Sequence, residues 1–571
     1  MAGALTAAIA SIFSGSAVTA DPYFEYTTLL LPGSGTNGAQ NNTFLDGSTN
    51  NFTITRNGNT TQGTFSPFSQ TGWGNYFDGT GDYLSIANST SLQLSNADWT
   101  IECWAYVTST TGNQRIISQS DSNYEFAFYM ASGALTAYSF QSAGTQNFAI
   151  SMGTLVANQW YHIAATRSGS TIRAFVNGSQ TGSATFSGTI DTRTGGWKIG
   201  SSYTGTENFS GYISNARIVK GTAVYTAAFT PPTAPLTAIS GTSLLTCQSN
   251  RFIDNSTNNF TITKNGDTSV VAFSPFNPTA SWSAATNGGS GYFDGSSDYL
   301  SAASNAAFTL GSSSDFCIEG WVYSTGTPGT DAVIAGTWQN GSSAFANRWL
   351  LSLRTSGTAI YWWDSTGSPG ITYTGITTNQ WVHIAVVRNS GTITLYVNGV
   401  SRGTQTTNQA YTTQDSLKVG GGITGTSDFP GYISSLRVVL GSPVYTAAFT
   451  PPTAPLTAIT NTSLLLNCTN AGIYDATSKN DLETVGNAQI STAQYKFPPS
   501  SMAFDGTGDY LTAQNNPLLN LGSSNFTIEA WIYPTTLNTY NYLYGRDGAT
   551  NATSEIDFYI GSTGNIASYF Y

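Results

Sequence analysis

Apolar and polar residues alternate in short runs along this chain. Between Trp99 and Val107, Trp99, Ile101, Cys103 and Ala105 share one face of an extended segment, and Thr100, Glu102, Trp104 and Tyr106 share the other. The period is two and both faces carry bulky side chains, which predicts a strand covered on both sides. Ile172, Ala174 and Val176 alternate with Arg173 and Phe175 and run into Asn177-Gly178, and Ile393–Val397 runs into Asn398-Gly399. Asn-Gly after such a run predicts a hairpin, because both residues tolerate positive φ. No segment beyond residue 20 carries the 3.6-residue period of an amphipathic helix over roughly 12 residues. Short strands separated by Gly, Ser, Thr and Asn continue throughout, a pattern that predicts an all-β fold of two packed antiparallel sheets.

The chain repeats itself. YFDGTGDYL at 76–84 returns as YFDGSSDYL at 292–300 and AFDGTGDYL at 503–511. WTIECWAYV at 99–107 returns as FCIEGWVYS at 316–324 and FTIEAWIYP at 526–534. NQWYHIAATR at 158–167 and GYISNARIV at 211–219 return once, as NQWVHIAVVR at 379–388 and GYISSLRVV at 431–439. VYTAAFTPPTAPLTAI occurs unchanged at 224–239 and 444–459. The expected organisation is an N-terminal arm at 1–23, one unit at 24–235, a second at 236–455 and an incomplete third at 456–571. Each complete unit is expected to close its own core. The proline-rich segments Phe229–Pro235 and Phe449–Pro455 are expected to be semi-rigid connectors, since proline removes a ladder donor and stiffens the chain. The third unit holds the Asp-Gly turn and the Trp531 strand but no third copy of the NQW, Asn-Gly and GYIS segments. A half-sandwich exposes an apolar face and open edges. The expectation is a chain cut from a longer one, the alternative a partner that completes the sheet.

Composition narrows the function classes. The chain has 571 residues with 19 basic and 30 acidic side chains, a net charge of -11, which excludes a nucleic-acid clamp built on a broad basic surface. It argues equally against an anionic-membrane binder. Hydrophobic content of 40% is enough for large cores, so the chain is not disordered. No apolar run is long enough to span a bilayer. Four cysteines, Cys103, Cys247, Cys317 and Cys468, are too few to staple the chain and imply no disulfide pairing. Residues 1–20 are small and apolar like a secretory h-region, but no Lys or Arg occurs before Arg56, so an attachment helix or disordered arm is expected there rather than a cleaved signal.

The order FDGxxDYL, FTIExW, W(Y/V)HIAxxR, VNG and GYIxxxRI resembles the laminin-G-like, concanavalin A-like jelly-roll family. The resemblance covers two units in full and the first half of a third. It implies tandem concanavalin A-like jelly-roll sandwiches, a fold that hosts lectins, adhesion modules and glycosidases. Tandem units low in charge and rich in Ser, Thr, Asn and Gly, together with the opening segment at 21–68, are also similar to marine bacteriophage structural proteins. That second resemblance implies a place in a virion fibre or another exposed virion part.

Four kinds of chemistry are candidates. A retaining glycosidase needs two carboxylates about 5–5.5 Å apart, and glucanases of this fold take them from one strand. The corresponding strand here has one acid per unit, Glu102, Glu319 and Glu529, with Trp104, Trp321 and Trp531 two residues on. No even-spaced partner acid occurs, so no catalytic residue is expected. The Glu is expected to be structural, paired with Arg167 and Arg388 or with Arg217 and Arg437, or bonded to backbone. The pairs Asp78 and Asp82, Asp294 and Asp298, and Asp505 and Asp509 flank tight Gly loops. They are candidate calcium ligands, with the turn chemistry of Asp-Gly as the competing reading. No cofactor is required, and calcium is the one that could bind. His162 and His383 each follow Trp on one strand with no second ligand nearby and are expected to be structural. Tyr361, Trp362, Trp363 and Asp364 are candidate glycan contacts, since alternation sends rings to both faces and the core needs only one.

The expected function is a non-enzymatic virion structural or adhesion protein of the tail-fibre or spike type, with lectin-like modules that could bind host surface glycans. The expected partners are a cell-surface glycan, other virion proteins and further copies of the chain as a homo-oligomer, with no nucleic acid and no membrane insertion. The expected location is the virion surface. The alternatives are a purely structural or decorating virion protein, a secreted, extracellular bacterial adhesin and, last, a glycoside hydrolase.

Overall fold

The alternating runs form antiparallel strands, and in the computed structural model every strand pair among the described residues is antiparallel. The structure describes residues 54–57, 61–63 and 73–570 except 121–124, 142–144, 191–194, 249–254, 261, 266–268, 272–282, 313, 329–330, 338–346, 355, 364–368, 413–415, 422–426, 467, 469–481, 486–487, 495, 497–499, 514–518, 520, 522–525 and 547–555. The first two repeats are each a sandwich of a seven-stranded and an eight-stranded sheet. The chain is therefore all-β, with tandem jelly-roll sandwiches.

In the first repeat the strand Trp99–Val107 lies at the centre of the larger sheet, between Trp160–Ser168 and Ser210–Lys220. Its inward face, Trp99, Ile101, Cys103 and Ala105, packs on Phe126, Phe128 and Trp197 of the smaller sheet. Trp99 meets Phe126 edge-on at 5.6 Å. The second repeat is built alike, with Phe316–Ser324 between Trp381–Asn389 and Pro430–Leu440. Side chains of up to about 250 Å² each leave water in these cores, the main favourable term in closing the sandwiches. The four cysteines are buried and unpaired.

Three expectations are corrected. The strand Thr242–Thr246 pairs with Ser210–Lys220, and Thr462–Leu466 with Pro430–Leu440. The sheet of each complete repeat therefore runs past the proline segment, instead of the next repeat starting there. The first two repeats also do not close separately. Ile54–Asn57 and Thr61–Gly63 add to Tyr299–Ala302 and Ser290–Asp294 of the second repeat. Ile262–Asn265 and Ser269–Val271 add to Tyr83–Ile86 and Gly74–Asp78 of the first. Sequence reasoning assigned strands to the nearest repeat, but ladder bonds form wherever register and side-chain pattern match.

The third correction concerns the Trp531 strand. Residues 526–534 form no strand. Trp531 and Tyr533 are 70% and 69% exposed. In the complete repeats this central strand is held by NQW and GYIS strands on either side, and the sequence carries no third copy of either. Its backbone groups have no ladder to join. Among its described residues the third repeat forms two two-stranded pairs and the three-stranded sheet Tyr540–Arg546, Ile556–Gly561 and Ile566–Phe570.

Candidate functional site

The repeated Glu is walled in. The Glu102 side chain is fully buried. Arg217 Nε and Nη2 donate to its Oε1 at 2.9 and 2.6 Å, Tyr225 Oη donates to Oε2 at 2.8 Å, and His162 Nε2 lies 3.1 Å from Oε2. Glu319 repeats this, with Arg437 at 3.0 and 2.5 Å, Tyr445 at 2.7 Å and His383 Nε2 at 3.4 Å. Register explains the set. Glu102 sits opposite Arg217 on one side and Ala164 on the other, and His162 is two positions along from Ala164 on the same face. Burial alone would raise the Glu102 pKa, but the bond from His162 and the charge of Arg217 outweigh it and hold the carboxyl below its usual value. Glu319 is lowered in the same way by His383 and Arg437 against its own burial. Of the two Arg pairings expected, Arg217 and Arg437 are formed. Arg167 and Arg388 bond backbone carbonyls instead.

The proline-rich segment closes this cluster from outside, so it is a cover as well as a connector. Tyr225 stacks on Phe229 at 3.6 Å, and Tyr445 on Phe449 at 3.6 Å. Phe229 N–H donates to the Gly178 carbonyl at 2.9 Å, and Phe449 N–H to that of Gly399. Gly178 takes φ +76°, and a Cβ there would stand 1.9 Å from the Phe229 carbonyl oxygen. The Asn-Gly hairpin is thus glycine for its turn and for this close approach. His162 meets Phe229 edge-on at 5.6 Å, so both histidines end inside the outer aromatic layer. A carboxylate so enclosed holds a fold together and does not reach a sugar.

The Asp-Gly loops show turn bonds. Asp78 Oδ1 accepts the Thr80 N–H at 2.5 Å, and Asp82 Oδ2 accepts the Asp78 N–H at 3.0 Å. Asp294 and Asp298 accept the Ser296 and Asp294 N–H groups at 2.7 and 3.1 Å, and Asp505 and Asp509 accept those of Thr507 and Asp505, both at 2.7 Å. Asp82 and Asp298 are buried. Each loop brings two carboxylates, whereas Ca²⁺ takes six to eight oxygens. Among the described residues no three His, Cys, Asp or Glu side chains gather to hold an ion.

An open polar cavity of about 480 Å³ lies beside the first loop, lined by Asp78, Ser109, Asn113, Glu207, Asn208 and Ser210 among others. Gln114 forms part of its wall, with Nε2 donating to the Ser109 and Thr111 carbonyls and Oε1 accepting the Ser210 N–H. Glu207 has φ +55°, an uncommon and strained conformation for a non-glycine residue. Its carboxylate lies 3.0 Å from Arg115, whose guanidinium stacks over Tyr129 at 4.0 Å and Tyr138 at 5.5 Å. The second repeat differs at this end. Register places Ala332 for Gln114 and Val333 for Arg115, and Ser427 and Pro430 stand for Glu207 and Ser210. Sequence reasoning missed the cavity because its lining comes from three separated segments. The available signal was that these positions differ between repeats whose frames match.

The aromatic triple divides between faces. Trp362 is fully buried and stacks on Trp349 in the core, so it is not available to a ligand. Tyr361 and Trp363 lie on the outer face, 5.7 Å apart and half-buried. Arg354 stacks over Tyr361 at 4.8 Å and makes a forked pair with Asp331 at 2.8 and 2.7 Å. Asp331 stands at the register position of Asn113 in the cavity. Both repeats therefore hold a carboxylate-paired guanidinium over a tyrosine on the same sheet, using different residues. Asp364 lies outside the described residues.

Two outcomes are expected. Glu102→Gln leaves Arg217 buried without its counter-charge and should cost about 3–5 kcal/mol in denaturant unfolding, whereas the exposed Glu529→Gln should change little. Thermal unfolding in excess calcium and in chelator should give the same midpoint if the Asp loops are turns alone, and a rise of several degrees with calcium would place the ion in them.

A family model of the concanavalin A-like lectin/glucanases superfamily matches residues 78–224 and 294–442. No curated protein matches the chain. Among solved structures, a Bacteroides ovatus ATCC 8483 protein, provisionally named for carbohydrate binding, is 19% identical with a TM-score of 0.29. The match covers 35% of this chain and 60% of that one, so the chain spans about three fifths of its length. Domains LG4-5 of the mouse laminin alpha1 chain are 13% identical over 69% of this chain and 96% of theirs, with a TM-score of 0.24. A heptameric SAP-like pentraxin from Limulus polyphemus is 20% identical over 27% of this chain and 79% of that one, with a TM-score of 0.23. The family match falls in both complete repeats and covers more than half of the chain, and the chain belongs to the concanavalin A-like lectin/glucanases superfamily.

Proposed function

We propose that the chain is a non-enzymatic adhesion protein of the tail-fibre or spike type, displayed on a virion surface, whose first repeat binds a glycan. The observation that carries this reading is the open polar cavity at the sheet rim, with Asn113 and Asn208 beside an Arg115–Glu207 pair stacked on tyrosines. Amide donors and acceptors fix hydroxyl groups, and the Glu207 carboxylate in the cavity lining, held by Arg115, adds a charged acceptor for them. Tyr361 and Trp363 give the second repeat two half-buried rings on the outer face instead. Two weak sites on one chain, multiplied by copies on one particle, hold a surface through avidity. The burial of Glu102 and Glu319 supports binding without cleavage. A purely structural role is the second reading, favoured by the second repeat's loss of the polar lining at Ala332, Val333 and Pro430.

A glycan array at low protein concentration tests this, followed by titration of the best ligand against Asn113→Ala and Glu207→Gln. Each substitution should weaken binding about tenfold, or 1.4 kcal/mol, with the unfolding midpoint little changed for Asn113→Ala. An array without ligands, or binding indifferent to both substitutions, would leave the structural reading in its place.

A further inference from the structure

The exchanged strands form a set of interchangeable donors and acceptors. Three donor segments start at Ile54, Ile262 and Leu482, and in each a second short strand starts seven residues later, at Thr61, Ser269 and Gln489. Three acceptors present Tyr83–Ile86, Tyr299–Ala302 and Tyr510–Ala513. The register is the same in all three cases. Ile54 pairs with Ala302, Ile262 with Ile86 and Leu482 with Ala513. Thr61 pairs with Tyr292, Ser269 with Tyr76 and Gln489 with Ala503. Yet the matching is permuted. The first donor serves the second repeat, the second donor serves the first, and the third serves its own.

The third repeat shows that local pairing is geometrically sound. It joins Ser491 to Ser501 through nine residues, and ten residues separate Gly63 from Gly74 in the first repeat. The first donor nevertheless pairs at Tyr299, far along the chain. ITRN at 54–57 and ITKN at 262–265 are almost the same peptide, both preceded by NNFT, so an acceptor has little means of telling one from the other. Discrimination is then a matter of effective concentration and not of contacts. A donor that leaves its own repeat can enter the matching repeat of another copy at the same register, which is a low-cost route to assembly.

We propose that the 54–63 segment is an assembly element, and that its partner is the second repeat of a second copy of this chain. Chains formed together at high local concentration exchange these strands, and the ladder bonds that join two repeats within one chain then join two chains. The apolar cores need no new surface for this, because every buried contact is one already made within a chain.

The test uses two differently tagged full-length chains expressed together, one carrying Thr55→Cys and the other Ser301→Cys. These residues face each other in the register, and the native cysteines are buried. The expected result is a disulfide-linked species of twice the chain mass, and co-purification of the two tags in the unsubstituted chains as well. Tags that never co-purify would overturn the proposal. So would tags that co-purify without the Thr55–Ser301 link, which places the contact elsewhere. A Thr55→Cys, Ser85→Cys chain that links internally under the same conditions would show local pairing and overturn the exchange itself.

Discussion

A carboxylate taken out of water must find its counter-charge and its hydrogen-bond donors inside the fold. Glu102 and Glu319 meet that condition with one cation, one tyrosine hydroxyl and one imidazole each, and the partners come from different parts of the chain. Arg217 arrives on the GYIS strand, His162 on the NQW strand and Tyr225 on the proline-rich cover. Two neighbouring strands and the outer layer are thereby tied to one group at the centre of the larger sheet. The identity of VYTAAFTPPTAPLTAI in both repeats has a physical cause in this role. Its tyrosine caps the carboxylate, and its Phe carbonyl rests against the Asn-Gly turn. Where those strands are missing, as in the third repeat, Glu529 and Trp531 stand in water and the strand does not form.

Much of this was legible in the alternation along Trp99–Val107. Bulky residues on both faces required cover on both sides, and the structure supplies a second sheet on one and the aromatic cover on the other. The turn chemistry of Asn177-Gly178 was equally plain. The choice between Arg167 and Arg217 was not, because both lie on strands adjacent to Glu102 and only the register separates them. The exchange of Ile54–Asn57 and Ile262–Asn265 was hidden for the opposite reason. Near-identical peptides carry no information about which acceptor they serve. The cavity was hidden because Asp78, Asn113 and Glu207 are far apart in sequence and polar residues are everywhere in this chain.

The sandwich thus separates two tasks. The strand that would carry catalytic acids in a glucanase of this fold is committed to holding the sheet together, and its acid is shut behind Tyr225 or Tyr445. Variation is left to the rim and the outer face of the smaller sheet. There the first repeat places Arg115 and Glu207, and the second places Arg354 and Asp331. One frame can then present different surfaces along one chain.

The most direct test of the structural role of the buried Glu is the pH dependence of the stability gap between the native chain and a Glu102→Gln, Glu319→Gln chain. Both folded-state pKa values are lowered, so the contribution of these groups is present above the unfolded pKa near 4.5 and is lost as pH falls through the folded values. The gap, measured by denaturant unfolding followed through tryptophan fluorescence, should be full at pH 7 and shrink progressively below pH 4.5. A gap that is absent at pH 7, or that widens in acid, would contradict the account.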